Sequence, residues 1–191
     1  MNALVSEMLS NKYCAQCILL NSKEHIAVRN ETIKMNAKYA PEKIKILFVA
    51  ESSPWDFVKD KHSYFYAPGQ VKRGGLSYHI MSVLFKEKFY TKEHFLQRFM
   101  KERFYLIDMV KCPINKLTKE EEKKTSRSCA KYLNEELHSL NFEKAIFMGK
   151  SSFKIVKNHL NLDFNYAVIP LPFGSNKNVE GFKEELRRAL S

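Results

Sequence analysis

Long apolar runs are missing from this 191-residue chain. The longest extends only from Ile46 to Ala50, against the roughly 20 apolar residues a helix needs to cross a bilayer. No basic stretch followed by an apolar one opens the chain, so no secretory leader is expected. The expectation is a soluble, intracellular protein (cytoplasmic, nucleoid-associated) with no membrane partner. Glycine and proline are scarce, six of each, and neither a Gly/Ser-rich linker nor an internal repeat divides the sequence. One domain over 1–191 is expected, with an N-terminal extension at 1–40. Acidic side chains are also few, 21 against 32 basic ones, which leaves a formal charge of +11. Such a surplus favours polyanions through phosphate neutralisation and counterion release, and nucleic acid is the leading partner. What the chain does have is core-building material: 45% hydrophobic and 13% aromatic residues exclude a disordered tail.

Short apolar runs rich in β-branched and aromatic residues predict four strands, at Ile44–Ala50, Phe104–Val110, Lys144–Met148 and Tyr166–Leu171. Helical patterns predict Leu76–Glu87, Thr91–Lys101, Thr118–Leu137, Ser151–Leu160 and a terminal helix at Val179–Leu190. Thr118 and Glu121 have capping-box spacing. Strands that alternate with helices imply βαβ crossovers, hence a parallel sheet covered on both faces. The fold class is therefore α/β, a three-layer α/β/α sandwich around a four-stranded parallel sheet. Ligands of such sheets bind beyond the carboxyl ends of the strands, so the residues that follow each strand are the candidates for chemistry.

Cysteine is limited to Cys14 and Cys17, in a Cys-x-x-Cys, with Cys112 directly after the second strand and Cys129 in the long helix. Disulfides are uncommon inside cells. Two thiolates at this spacing grip one metal, and a second pair brought near by folding completes a four-sulfur site. Four unrelated buried thiols are the plainer alternative. Ligand count alone does not separate zinc from a [4Fe–4S] cluster, because both accept four thiolates.

The chain resembles the uracil-DNA glycosylase superfamily, most closely its iron–sulfur class, often called family 4. The residues that carry the likeness occur in the family's order: Cys14-Ala-Gln-Cys17, the strand and turn from Ile46 to Pro54, Tyr64-Phe-Tyr66, Gly74-Gly-Leu76, Asp108-Met-Val-Lys-Cys112, Cys129, Met148-Gly149 and Leu171-Pro-Phe-Gly-Ser175. The resemblance implies the glycosylase fold, a structural [4Fe–4S] cluster on Cys14, Cys17, Cys112 and Cys129, and hydrolytic removal of a deaminated base, uracil or a related one, from DNA in base excision repair; a monomer is expected. Two departures stand out. Leu171 replaces the family's histidine, and Asp108 replaces the asparagine that reads the edge of uracil. An ionised carboxylate only accepts hydrogen bonds, so Asp108 suits an amino or ring N–H group. The alternative readings are a DNA-binding member of the fold that has lost base excision, and a zinc-stabilised binding module unrelated to glycosylases.

Hydrolysis of an N-glycosidic bond requires an everted nucleotide, an attacking water and relief of the positive charge that develops on the sugar. Glu51, aligned with the family's motif glutamate and flanked by Ser52, could orient that water; a solvated or helix-capping carboxylate would look the same. Phe65, aligned with the family's stacking phenylalanine, and Tyr66 could stack on the base or pack in the core. Asp108 would read the base edge or pair with Lys111. Lys72 and Arg73 could meet phosphates, and the turn at Gly174, Ser175, Asn176 and Lys177 could grip the DNA backbone. The Lys/Glu mixture over 116–131 reads as a solvated helix face laced with i,i+4 pairs.

Overall fold

The computed structural model describes residues 23–54, 64–85, 89 and 91–191. Cys14, Cys17 and the expected extension up to residue 22 lie outside the described residues. The apolar runs do become strands: β1 Ile44–Ser52, β2 Phe104–Val110, β3 Phe142–Met148 and β4 Tyr166–Ile169. All pairings are parallel, in the order β2-β1-β3-β4. Leu47, Phe48 and Val49 of β1 are fully buried, as are Leu106 and Ile107 of β2 and Ile146 and Phe147 of β3. A strand covered on both faces must read as continuous apolar sequence, which is why these runs were legible.

Six helices surround the sheet among the described residues: α1 Lys23–Lys38, α2 Leu76–Leu84, α3 Lys92–Lys101, α4 Lys119–Ser139, α5 Lys150–Val156 and α6 Asn176–Leu190. Thr91 caps α3, the Thr118–Glu121 capping box opens α4 with both reciprocal bonds made, and Ser175 accepts from the Asn178 amide at the start of α6. Several limits differ from the sequence reading. β4 ends at Ile169, since Pro170 has no N–H to give a ladder. The fifth helix tightens after Val156 into a 3₁₀ turn, Lys157–His159. α1 was not expected at all: the side chains it buries are Val28, Arg29, Thr32 and Ile33, half of them polar, so its inner face carries little apolar signal. It is fixed instead through Tyr39, whose ring stacks on Tyr66 at 5.6 Å and whose hydroxyl donates to Glu93 at 2.7 Å. No helix among the described residues is long and apolar enough to cross a membrane.

The register sets the site. Ala50 pairs with Asp108 and Ser52 with Val110, so the last residues of β1 and β2 finish side by side. From β1 the chain crosses to β2 on one side, and from β2 it returns past β1 through α4 to β3 on the other, so the strand order reverses at β1, and a crevice forms at such a reversal.

Candidate active site

A cavity of about 410 Å³ occupies that crevice, within the range of small-ligand sites. Its wall takes Ala50, Glu51, Ser52 and Pro54 from the end of β1, Leu106 and Asp108 from β2, and Leu171 and Phe173 from the segment after β4. Tyr64, Phe65, Lys72, Arg73, Leu76 and Lys92 complete most of the rest. Six of the residues singled out in the sequence, Glu51, Ser52, Phe65, Lys72, Arg73 and Asp108, thus come together from four separated stretches of chain.

Glu51 is half-buried, and its Oε1 accepts a hydrogen bond from the Ser152 hydroxyl in the first turn of α5. The second carboxylate oxygen has no hydrogen-bond partner among the described residues. One oxygen anchored and one available is the arrangement a water-orienting base needs.

Asp108 is 4% exposed. The expected pairing with Lys111 does not form through its carboxylate. Lys111 Nζ instead donates to the backbone carbonyl of Asp108 at 2.7 Å and makes a buried ion pair with Glu136 on α4. The Asp108 carboxylate keeps the Tyr64 hydroxyl, at 3.2 Å, and Tyr64 also reaches Asn36 on α1. Burial pushes the Asp108 carboxyl up to about 6; Glu136 adds to that, while the Lys111 charge and the Tyr64 hydrogen bond oppose it. The same burial drives the Tyr64 hydroxyl well above its ordinary value, so it remains a donor. The buried Glu136 carboxyl is also raised, by desolvation that Lys111 only partly offsets.

Phe65 is buried and lines the cavity while its ring packs edge-on against Phe95 and Phe99, at 5.7 and 5.4 Å. Tyr66 does not reach the cavity. It is 1% exposed, and its hydroxyl donates to the Leu106 carbonyl at 3.1 Å and accepts from the Leu106 amide at 2.7 Å, which makes it a strut under β2 rather than a base contact. Gly174, Ser175, Asn176 and Lys177 are exposed beside the cavity's Phe173 without lining it. Gly174 takes φ 100°, a left-handed value that glycine adopts without strain, and the turn is closed by the Asn178 side chain donating to the Phe173 carbonyl at 2.7 Å.

Among the cavity residues not singled out in the sequence are Tyr64, which holds Asp108, and two others, Lys92 and Phe173. Lys92, 2% exposed, opens α3 and donates to the Tyr64 carbonyl; a lysine in a mixed Lys/Glu helix reads as surface, so nothing in the pattern marked it. Phe173 is 47% exposed at the cavity edge. Its place between Pro172 and a glycine was the available signal, because such a turn cannot bury a ring in a strand.

Cys112 and Cys129 are both buried, one just past β2 and one on α4, elements that pack together. Among the described residues no group of three or more His, Cys, Asp and Glu is placed to hold a metal. The donor chemistry suits a thiolate-bound centre: these two thiols would supply half of a Cys₄ set, and Cys14 and Cys17 lie outside the described residues. Thr125, one turn before Cys129, carries a buried hydroxyl with no hydrogen-bond partner among the described residues.

Compared with known families, residues 37–190 match the model described as the uracil DNA glycosylase superfamily. No curated protein matches the chain.

Proposed function

The chain belongs to the uracil DNA glycosylase superfamily, and from that premise we propose that it hydrolyses the N-glycosidic bond of a deaminated base everted from DNA. The observation that carries this reading is the presence of Glu51 and Asp108 in one cavity at the carboxyl ends of β1 and β2. An everted base would rest against Phe65, with Asp108 at its edge and Leu171 packed where no imidazole is available. Phe173 would fill the gap left in the base stack, and Lys72, Arg73 and the turn at Ser175–Lys177 would hold phosphates. As the bond between C1′ and the base nitrogen breaks, its electron pair leaves with the base and positive charge grows on the sugar. Glu51, fixed by Ser152, would balance that charge and take a proton from the water whose oxygen bonds to C1′. The Lys92 ammonium would face the electron-rich leaving base across a poorly hydrated cavity, which strengthens the attraction.

The same proposal assigns Cys14, Cys17, Cys112 and Cys129 to a [4Fe–4S] cluster, with zinc as the other occupant. Its contribution would be to tie the segment before α1 to β2 and α4, and no step of the reaction passes through it.

The test is incubation with duplexes containing uracil, hypoxanthine or xanthine, followed by alkaline cleavage of abasic sites. Excision of at least one base is expected, slowed about 10²–10⁴-fold by Glu51→Gln, the usual contribution of a positioned base. No abasic product from any duplex at enzyme excess would overturn the catalytic reading. Leu171 in the cavity favours one other outcome, salt-sensitive binding of damaged DNA without excision.

A further inference from the structure

A second concavity, about 720 Å³, runs between α4 and α5. Its lining is rich in cations: Lys119, Lys123 and Arg127 along α4 and Lys154 on α5. The pattern of i,i+4 ion pairs expected for this helix face does not form. Lys119 pairs with Glu122, three residues on, whereas Lys123, Arg127 and Lys154 have no carboxylate partner among the described residues. Three uncompensated charges in one groove repel one another, so the arrangement costs free energy until an anion arrives.

The groove adjoins the cavity already described. Ser151 lines the groove, and the next residue, Ser152, holds the Glu51 carboxylate in the cavity wall. Lys119, at the groove's end of α4, is close enough to Glu51 for that carboxylate to contribute to raising its pKa, behind the larger effect of Glu122. Lys119, Lys123 and Arg127 are spaced four residues apart, so they form one row with steps of about 6 Å and a length of about 12 Å. A DNA strand advances about 3.4 Å per nucleotide, and the row therefore spans roughly three to four phosphates.

We propose that the α4–α5 groove is a phosphate track that holds the DNA strand flanking the everted nucleotide, with Lys123, Arg127 and Lys154 as its contacts. The inference builds on the cavity being a site for a DNA base, but it is read by binding alone and so fails or stands apart from catalysis. A groove lined by cations, whose Ser151 is next in the chain to the serine that holds the cavity's Glu51, suits an anionic backbone that extends from that cavity. Contacts of this kind carry no sequence information; they set register and affinity.

The experiment compares three full-length proteins for binding to a labelled duplex over a salt series: wild type, the triple variant Lys123→Ala, Arg127→Ala, Lys154→Ala, and a control, Lys43→Ala, Lys45→Ala, Lys101→Ala. The control removes the same charge near the amino ends of β1 and β2, away from the cavity. All six positions are exposed, and thermal unfolding would check that each variant retains the fold. The groove variant is expected to bind at least 10-fold more weakly at moderate salt, with a salt slope shallower by about 0.9 per lost phosphate contact. The control should keep the wild-type slope. Equal behaviour of the two variants, whether both weaken or neither does, would overturn the proposal, since bulk charge or nothing would then explain the result.

Discussion

Asp108 is the residue whose chemistry decides most. Its carboxyl titrates near pH 6 because it is buried, whereas an unfolded chain releases that proton near the ordinary aspartate value of about 3.9. The folded protein therefore holds the proton more tightly, and stability falls as pH rises between those two values. Asp108→Asn removes the penalty and should raise stability at pH 7, by up to about 3 kcal/mol, measured by denaturant unfolding; the gain should vanish below pH 4. The same titration bears on base choice. Protonated, the carboxyl can donate to a carbonyl oxygen, and ionised it only accepts. Excision of bases that present a carbonyl at Asp108 should rise relative to those that present an N–H as pH drops through 6, and Asp108→Asn should flatten that ratio. A ratio that stays constant from pH 5 to 7.5 in the wild type would remove Asp108 from the recognition surface.

Among the elements, α4 is held at both a solvent end and a buried middle. Thr118→Ala takes away the cap and should cost about 1 kcal/mol, visible as a modest fall in Tm. Lys111→Met leaves Glu136 buried without its cation, and Glu136→Gln leaves the Lys111 ammonium buried without its anion; each should cost about 3–5 kcal/mol, whereas the double variant Lys111→Met, Glu136→Leu, which buries no charge, should cost much less than the sum of the two. Additive losses in that double variant would mean that the ion pair matters less than the packing around it. How far these elements could be read from the chain varies with what stabilises them. The strands and α4 were legible, since their patterns are local: continuous apolar runs for β1 and β2, a cap followed by a periodic face for α4. α1 was illegible because half of the side chains it buries, Arg29 and Thr32, are polar. The cavity was half legible. Glu51 and Asp108 announced themselves by lying at strand ends, and Lys92 did not, as only the fold reveals that its helix starts against the cavity. Tyr66 misled for the same reason, its hydroxyl being satisfied by the backbone of a strand 40 positions away in sequence.

For the molecule as a whole, the four cysteines make a claim that spans the chain. If they share one centre, the purified protein should contain iron and acid-labile sulfide and absorb visible light, and Cys129→Ser should lose both and lower Tm by several degrees. A colourless preparation with one zinc per chain would identify the other occupant; neither metal at stoichiometric level would dismiss the shared centre. A final consequence follows from the contact in which Asn36 and Asp108 share the Tyr64 hydroxyl. A phenol has a single proton to lend, so whenever it turns to the amide of the amino-terminal helix the acid beside the substrate goes without. Removing that amide, as in Asn36→Leu, should commit the hydroxyl to the Asp108 carboxylate, whose charged form it favours, and so lower the pH at which that carboxyl takes up its proton, a titration governed from α1, which supplies no wall to the cavity.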